Sequence, residues 1–280
     1  FAIIRYFGRK MNAHRVGAYS AQSAFFMFLS MIPLIMLLLS ALRYFTFSVA
    51  DSAAEFLDLA HSFLPNTISS FFDDLVVNVY EQSTAALTSV SAVAVLWAAS
   101  KGVYAIIQGL GVVYETRETR SFIKLRFLAV VYTIFFIIML LVLLVVIVFG
   151  NDILEFINSK LPQYKAIALL IGSLRFIAGL LLLTLFFAVV YTALPNRKMK
   201  FRLQLPGAMI SAVGWIGFSY LFSFYINRFS NYSSIYGSLT TIIIFMLWLY
   251  ICIQILFFGA EINLVLLRQE ERELQRTTTR

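Results

Sequence analysis

Charged residues, cysteine and histidine are scarce in this sequence, and each shortage argues against a class of protein. Only 13% of the 280 residues are charged, whereas a soluble domain has about 25%. The single cysteine, Cys252, excludes a disulfide framework and a cysteine-based metal site. The two histidines, His14 and His61, form no HxH or HExxH pattern, and GxSxG and P-loop motifs are absent. The sequence therefore disfavours a nuclease or any other enzyme and predicts neither a metal nor a cofactor.

Apolar residues are abundant, and they occur in long runs. They make up 61% of the chain. Six runs are long enough to cross a hydrocarbon core of about 30 Å, which takes roughly 20 residues. Because lipid offers no partner for open backbone groups, each run is predicted to be a helix. We therefore predict an all-α polytopic membrane protein with six transmembrane helices, at 20–42, 85–107, 127–149, 167–194, 206–226 and 235–267.

The last predicted span is longer than a straight crossing requires. It is therefore expected to be tilted, broken near Gly259 or partly outside the lipid.

The distribution of lysine and arginine predicts the orientation. Four of these basic residues lie in the amino-terminal arm, and five lie in or just before the connection between the second and third spans. Four more lie between the fourth and fifth spans, and four lie in the tail. That makes 17 of the 22 on one side, so the positive-inside rule places both termini in the cytoplasm. The net charge of +8 is explained by this topology, and no nucleic-acid partner is predicted.

The first outer connection has a helical pattern of its own. Apolar residues recur at helical spacing in 51–64 and again in 67–82, on either side of Pro65. Their outward faces carry acids, whereas a helix lying on a membrane surface normally carries lysine and arginine. We predict two short amphipathic helices that form an outer cap, 51–82, packed on the bundle. The chain is then one integral membrane domain, 1–267, with a polar cytoplasmic tail, 268–280.

Glu261 stands out because it is an acid inside an apolar run, where a charge costs about 3 kcal/mol or more and usually has a partner. Measured from the predicted helix ends, Lys101 lies at a similar depth. Opposite charges at one depth would offset each other's desolvation, so a Lys101–Glu261 pair is predicted. The alternative is that Lys101 snorkels to the headgroups while Glu261 hydrogen-bonds locally with Asn263.

Other polar side chains also fall within the predicted spans. Arg175 lies about 12 Å below the outer end of its helix, where it reaches outward, binds an anion or pairs with Asp152 or Glu155. Ser23 and Ser30 share one face of the first span. The candidate cavity or substrate-binding residues are therefore Ser23, Ser30, Lys101, Arg175, Glu261 and Asn263.

Ordinary helix packing is the alternative explanation for the small residues in these spans. Ala208 and Ala212 have the small-xxx-small spacing that allows close helix approach. Gly214 and Gly217 add further places where backbones can come close. Gly102, Gly109 and Gly111 are expected to loosen the end of the second span.

The order and spacing of several motifs resemble the YihY/BrkB family of bacterial inner-membrane proteins, some of which once carried a ribonuclease BN label. The resemblance runs from about Asn12 to Leu267, although Gly111 stands where asparagine is expected in many relatives. The motifs are AYSAQSAFFMFLSMIPLI, WAASKGVYAIIQGL, YETRETRSFIKLR, YTALPNRKMKFRLQLPGA, YSSIYGSL, WLY and GAEIN. The resemblance implies a six-span protein of the inner membrane, whose relatives are suspected of moving lipids or solutes.

Two functions from different classes follow from these observations. The first is a transporter that translocates phospholipid or another amphiphilic anionic substrate. The alternative is a scaffold of the cell envelope that transports nothing and binds a partner through the outer cap. Membrane lipids are the expected partners, and a homo-oligomer and an envelope partner at the cap stay open. Whether the polar positions share one water-accessible cavity would separate the two functions.

Overall fold

The computed structural model describes residues 2–45, 85–148, 165–228 and 239–278. These segments form helices joined by short connections and contain no strand. The helices are α1 (Ala2–Ala13), α2 (Val16–Phe45), α3 (Ala85–Val113), α4 (Phe122–Val148), α5 (Lys165–Ala193), α6 (Phe201–Arg228) and α7 (Leu239–Thr278). The all-α prediction is confirmed for these residues, whereas the predicted outer cap, 51–82, lies outside them.

All six predicted spans overlap a helix. Within the described residues, four helices are long and apolar enough to cross a membrane, and the shorter apolar helix 177–193 lies in α5. The four segments are Leu96–Val113, Phe122–Met139, Phe201–Ile226 and Ile242–Arg272. The chain is thus a helical membrane protein, and the full six-span topology stays a prediction.

Helix α7 continues through Gly259 without a break, so the expected break near that residue is wrong. Its 40 residues span about 60 Å at 1.5 Å per residue. That is about twice the thickness of a hydrocarbon core. The helix therefore reaches well beyond one membrane surface if it crosses upright.

Glycines allow α2, α3 and α7 to pack closely. A Cβ at Gly102 of α3 would lie 2.7 Å from Cγ of Met27, and one at Gly109 would lie 2.6 Å from Cε1 of Phe257. Real Cβ atoms essentially never come this close. The two glycines thus fix the level at which α3 meets α2 and α7.

The segments predicted to share one side of the membrane meet at one end of the bundle, which we call the basic end. It consists of α1, the α3–α4 and α5–α6 connections, and the last turns of α7. Asn196 Nδ2 donates to Thr119 Oγ1 at 2.8 Å, joining the two connections. Lys200 Nζ lies 2.7 Å from Glu270 Oε1, joining the α5–α6 connection to α7.

Candidate functional site

Glu261 is buried at the basic end, with 1% of its surface exposed. The Nδ1–H of His14, at the end of the amino-terminal arm, donates to Oε1 of Glu261. The other ring nitrogen of His14 lies 3.4 Å from Oε1 of Glu115. The imidazole therefore sits between two carboxylates and links the arm to α7 and to the α3–α4 connection.

The predicted pairing of Lys101 with Glu261 is wrong. Lys101 is exposed, and its Nζ lies 5.4 Å from the ring centre of Phe26. Lys101 precedes Gly109 by eight residues, and Glu261 follows Phe257 by four, while Gly109 and Phe257 meet. At 1.5 Å per residue the two charges are therefore about 18 Å apart along the bundle.

Glu115 lies beside the His14–Glu261 pair and interacts with two basic side chains. Its carboxylate accepts a hydrogen bond from Arg268 and lies 3.5 Å from Lys10 Nζ. The Arg268 hydrogen bond, helped by the charges of Arg268 and Lys10, lowers the pKa of Glu115 below its usual value. Glu115 has a φ of 52°, a left-handed conformation that is uncommon for a residue other than glycine. That conformation ends the turn after α3.

Helices α6 and α7 cross at two glycines. A Cβ on Gly259 would lie 2.5 Å from the carbonyl oxygen of Gly207, and a Cβ on Gly207 would overlap the carbonyl oxygen of Gly259. Asn263, fully buried on α7, accepts from the Gly207 N–H at 2.8 Å and donates to the Gln204 carbonyl at 3.1 Å. The crossing thus leaves no room for a side chain, and Asn263 bridges the two backbones.

Two buried tyrosines extend this crossing. Tyr114 donates to Oε1 of Gln204 at 2.6 Å, and Tyr191 donates to the carbonyl of Leu256 at 2.6 Å. The hydroxyl of Ser211 lies 2.7 Å from that of Tyr191. Polar groups therefore bind one another across the α3–α4 connection, α5, α6 and α7, which is how buried polar groups avoid the cost of desolvation.

A second polar region lies on the surface of α3. Trp97, Lys101, Tyr104 and Gln108 are spaced by four, three and four residues and therefore share one face of the helix; we call them the α3 stripe. Gln108 Nε2 donates to the Tyr104 hydroxyl at 3.2 Å. The guanidinium of Arg126 lies 4.2 Å from the Trp97 ring centre and donates to the Trp97 carbonyl at 2.7 Å.

Among the described residues, neither cation at the α3 stripe, Lys101 or Arg126, has an acidic partner. Nε of Arg126 is buried and has no hydrogen-bond partner there either. The stripe therefore carries positive charge that the described protein groups do not neutralise.

The remaining predicted site residues are dispersed. Ser23 is fully buried, and its hydroxyl has no partner among the described residues. Ser30 is 4% exposed and donates to the Met27 carbonyl at 2.8 Å. Arg175 lies in α5, and its side chain is outside the described part. The described members of the predicted set therefore occupy separate places: Lys101 on the stripe, Glu261 beside His14, Asn263 at the crossing, and the two serines buried in α2.

Sequence analysis missed His14, Arg126 and three of the four members of the stripe, Trp97, Tyr104 and Gln108. The sequence motifs treat His14 only as a candidate for metal or acid–base chemistry, although it lies on the same predicted side of the membrane as Glu261. Tyr104 and Gln108 follow Lys101 at spacings of three and seven, a pattern that could have been found in the sequence. Arg126 of α4 stacks on Trp97 of α3, and no sequence pattern in either helix indicates this contact.

Comparison with known proteins identifies relatives along nearly the whole chain. The sequence model of the family described as "Virulence factor BrkB" matches residues 7–280. The ribonuclease-like protein YfkH of Bacillus subtilis is 31% identical over 262 residues, which cover 94% of each chain. The UPF0761 membrane protein VV0203 of Vibrio vulnificus is 28% identical over 285 residues, covering 99% of this chain and 85% of that protein. No solved structure matches.

Proposed function

The chain belongs to the family of the virulence factor BrkB, a family of membrane proteins, and we propose that it translocates a phospholipid or another amphiphilic anion between the leaflets of the inner membrane. Such a substrate has a charged head and apolar tails. Its carrier needs a polar path that opens sideways to lipid and does not need to enclose the tails. The α3 stripe has these properties, because it is polar and lies on the side of a candidate span.

The observation that carries the proposal is the exposed Lys101. It lies within the candidate span Leu96–Val113, and no carboxylate of the described residues pairs with it. An ammonium group at that depth costs a few kcal/mol unless an anion or water offsets the cost. A lipid phosphate passing along the stripe supplies such an anion.

Arg126 provides a second basic group beside the same stripe. Its guanidinium is held against Trp97 by stacking and by one hydrogen bond. Its Nε–H has no hydrogen-bond partner among the described residues and can donate to an oxyanion. A planar guanidinium suits a phosphate through paired hydrogen bonds, whereas an ammonium acts as a point charge. Arg175 of α5 is the proposed headgroup station toward the outer leaflet.

Transport between leaflets is tested in liposomes that contain a headgroup-labelled phospholipid, with an impermeant quencher added outside. Wild-type protein is expected to expose inner-leaflet label much faster than empty liposomes. Lys101→Gln and Arg126→Gln are each expected to slow this exchange about tenfold. Lys124→Gln, which removes an exposed lysine in the first turn of α4, two residues before Arg126, is the matched control and should transport normally.

Equal rates in empty and protein-containing liposomes, with the protein shown to be folded, would contradict lipid transport. That result would favour the envelope scaffold, whose proposed binding surface is the cap, 51–82. The word ribonuclease in the name of YfkH applies to that protein. The contacts of the described site residues in this chain are explained without a reaction on RNA.

The orientation proposed for this function places the basic end in the cytoplasm of the cell. The test uses Asn196→Cys in a Cys252→Ser background, since Cys252 is fully buried and the α5–α6 connection is exposed. An impermeant thiol reagent should label this variant only after the cells are opened. Labelling in intact cells would show that the basic end faces the outside of the cell.

A further inference from the structure

A cleft of about 440 Å³ lies at the basic end, between the turn that joins α1 to α2 and one face of α7. Arg15, Asn12 and Gln254 contribute its polar lining, and Met11 and Val16 contribute apolar surface. This volume is within the range of roughly 300–1,000 Å³ that small-molecule sites occupy. The cleft is separate from the α3 stripe, none of whose residues lines it.

The cleft is suited to an anion because the described residues that line it carry one charge, that of Arg15. Asn12 and Gln254 add amide groups that can donate hydrogen bonds, and no acid is among the described lining residues. The nearby carboxylates are engaged elsewhere: Glu115 binds Lys10 and Arg268, and Glu261 binds His14. Among the described residues, Arg15 itself takes part in no ion pair.

Exposed apolar residues lie beyond the cleft along α2. Ala18 lines the cleft, and Phe25 and Leu29 follow it at spacings of seven and eleven residues, on the same helical face. Phe25 is 46% exposed and Leu29 is 51% exposed. The exposed Gln22 lies between Ala18 and Phe25 on this face. The cleft at the end of the bundle is therefore followed by one polar side chain and then by the exposed apolar residues Phe25 and Leu29.

We propose that this cleft binds the phosphate of a lipid headgroup, with Arg15 pairing with the phosphate and the amides of Asn12 and Gln254 donating to its oxygens. The acyl chains lie along Phe25 and Leu29. This is a holding site for one lipid at the basic end, and it is independent of whether the protein moves lipid along the α3 stripe. A free phosphate has the same headgroup chemistry but does not use Phe25 and Leu29.

The test measures binding of dihexanoyl phosphatidylglycerol, and separately of inorganic phosphate, to the purified full chain by calorimetry. Arg15→Gln is expected to weaken lipid binding about tenfold, since it removes a charged hydrogen-bonding partner. Gln254→Leu should weaken it a few-fold and decides the question if Arg15→Gln does not fold. Arg9→Gln removes an exposed arginine of α1 that does not line the cleft, and it should bind like wild type.

A second pair of measurements separates a lipid site from a site for a soluble anion. Phe25→Ser should weaken lipid binding and leave the weaker binding of inorganic phosphate unchanged. Equal affinities for lipid and inorganic phosphate would overturn the lipid assignment. Unchanged lipid binding in Arg15→Gln and Gln254→Leu, or an equal loss in Arg9→Gln, would overturn the site.

Discussion

Two regions of this molecule place polar groups within apolar surroundings: in one the polar group is buried and hydrogen-bonded, and in the other it is exposed. At the α6–α7 crossing, Asn263 is fully buried and bonds to the backbone of both Gly207 and Gln204. On the α3 stripe, Lys101 is exposed and no acid of the described residues pairs with it. A polar group whose hydrogen bonds are satisfied within the protein stabilises the fold. A cation without an anionic partner in a span keeps its desolvation cost, which an anionic ligand can offset.

The difference also separates two kinds of mutational effect. Changes at the crossing should reduce the free energy of unfolding, because close backbone contact and buried hydrogen bonds are lost together. Changes on the stripe should leave that free energy nearly unchanged and affect only ligand movement. The following predictions test this contrast, from the largest effect on stability to the smallest.

The largest loss is expected for Gly207→Ala. The new methyl group overlaps the carbonyl oxygen of Gly259, so the two backbones must separate, at a cost of about 3 kcal/mol. The measurement is the free energy of unfolding in detergent, from denaturant titration. Gly217→Ala is the matched control on the same helix, since a Cβ there meets nothing within 4 Å, and it should be neutral or stabilising by up to about 1 kcal/mol. Similar stabilities for the two variants would contradict the close crossing.

The next effect concerns the buried pair of His14 and Glu261. Glu261→Gln should cost about 2 kcal/mol, because it replaces the buried carboxylate that bonds His14 by an amide, whose oxygen is a weaker acceptor. A double-mutant cycle with His14→Gln should give a coupling energy of about 1 kcal/mol or more. The same cycle with Lys101→Gln should give a coupling near zero. Strong coupling to Lys101 and none to His14 would restore the pairing expected from the sequence.

The helices themselves could be predicted from the sequence, but the partner of Glu261 could not. Hydrophobic runs reveal spans because lipid leaves few other structures possible for the backbone. The depth of Lys101 is counted from the predicted outer end of its span at 85, and that of Glu261 from the predicted end at 267, whereas α7 runs on to Thr278. The level at which α3 meets α7 depends on packing: Gly109 lies against Phe257, which places the two charges about 18 Å apart along the bundle.

Helix packing was predictable only where the small residues formed a pattern. Ala208 and Ala212 were recognised by their spacing, and both are fully buried. Gly207 and Gly259 lie on different helices, so their contact depends on how α6 and α7 are positioned against each other. The hydrogen bonds of Asn263 to the α6 backbone likewise arise only after that packing.

A smaller effect should appear in acid, through Glu115. Its pKa is lowered in the folded protein by Arg268, so its contribution to stability is present above its usual pKa and is lost as the pH falls below that value. Because the carboxylate is 46% exposed, the contribution is about 0.5 kcal/mol. The melting temperature of Glu115→Gln should therefore fall less than that of wild type between pH 7 and pH 4. An identical fall, with Arg268→Gln also identical, would show that this ion pair contributes nothing.

The smallest effect on stability is expected on the α3 stripe. Lys101→Leu removes a cation that the described protein does not pair and replaces it with a side chain that lipid solvates well. Its free energy of unfolding should lie within about 0.5 kcal/mol of wild type, and so should that of Gln108→Leu, a control on the same face. A loss of 2 kcal/mol or more for Lys101→Leu alone would mean that the ammonium has a partner inside the protein. The stripe would then be stabilised in the same way as the α6–α7 crossing, and Lys101 would no longer support a site for a lipid headgroup.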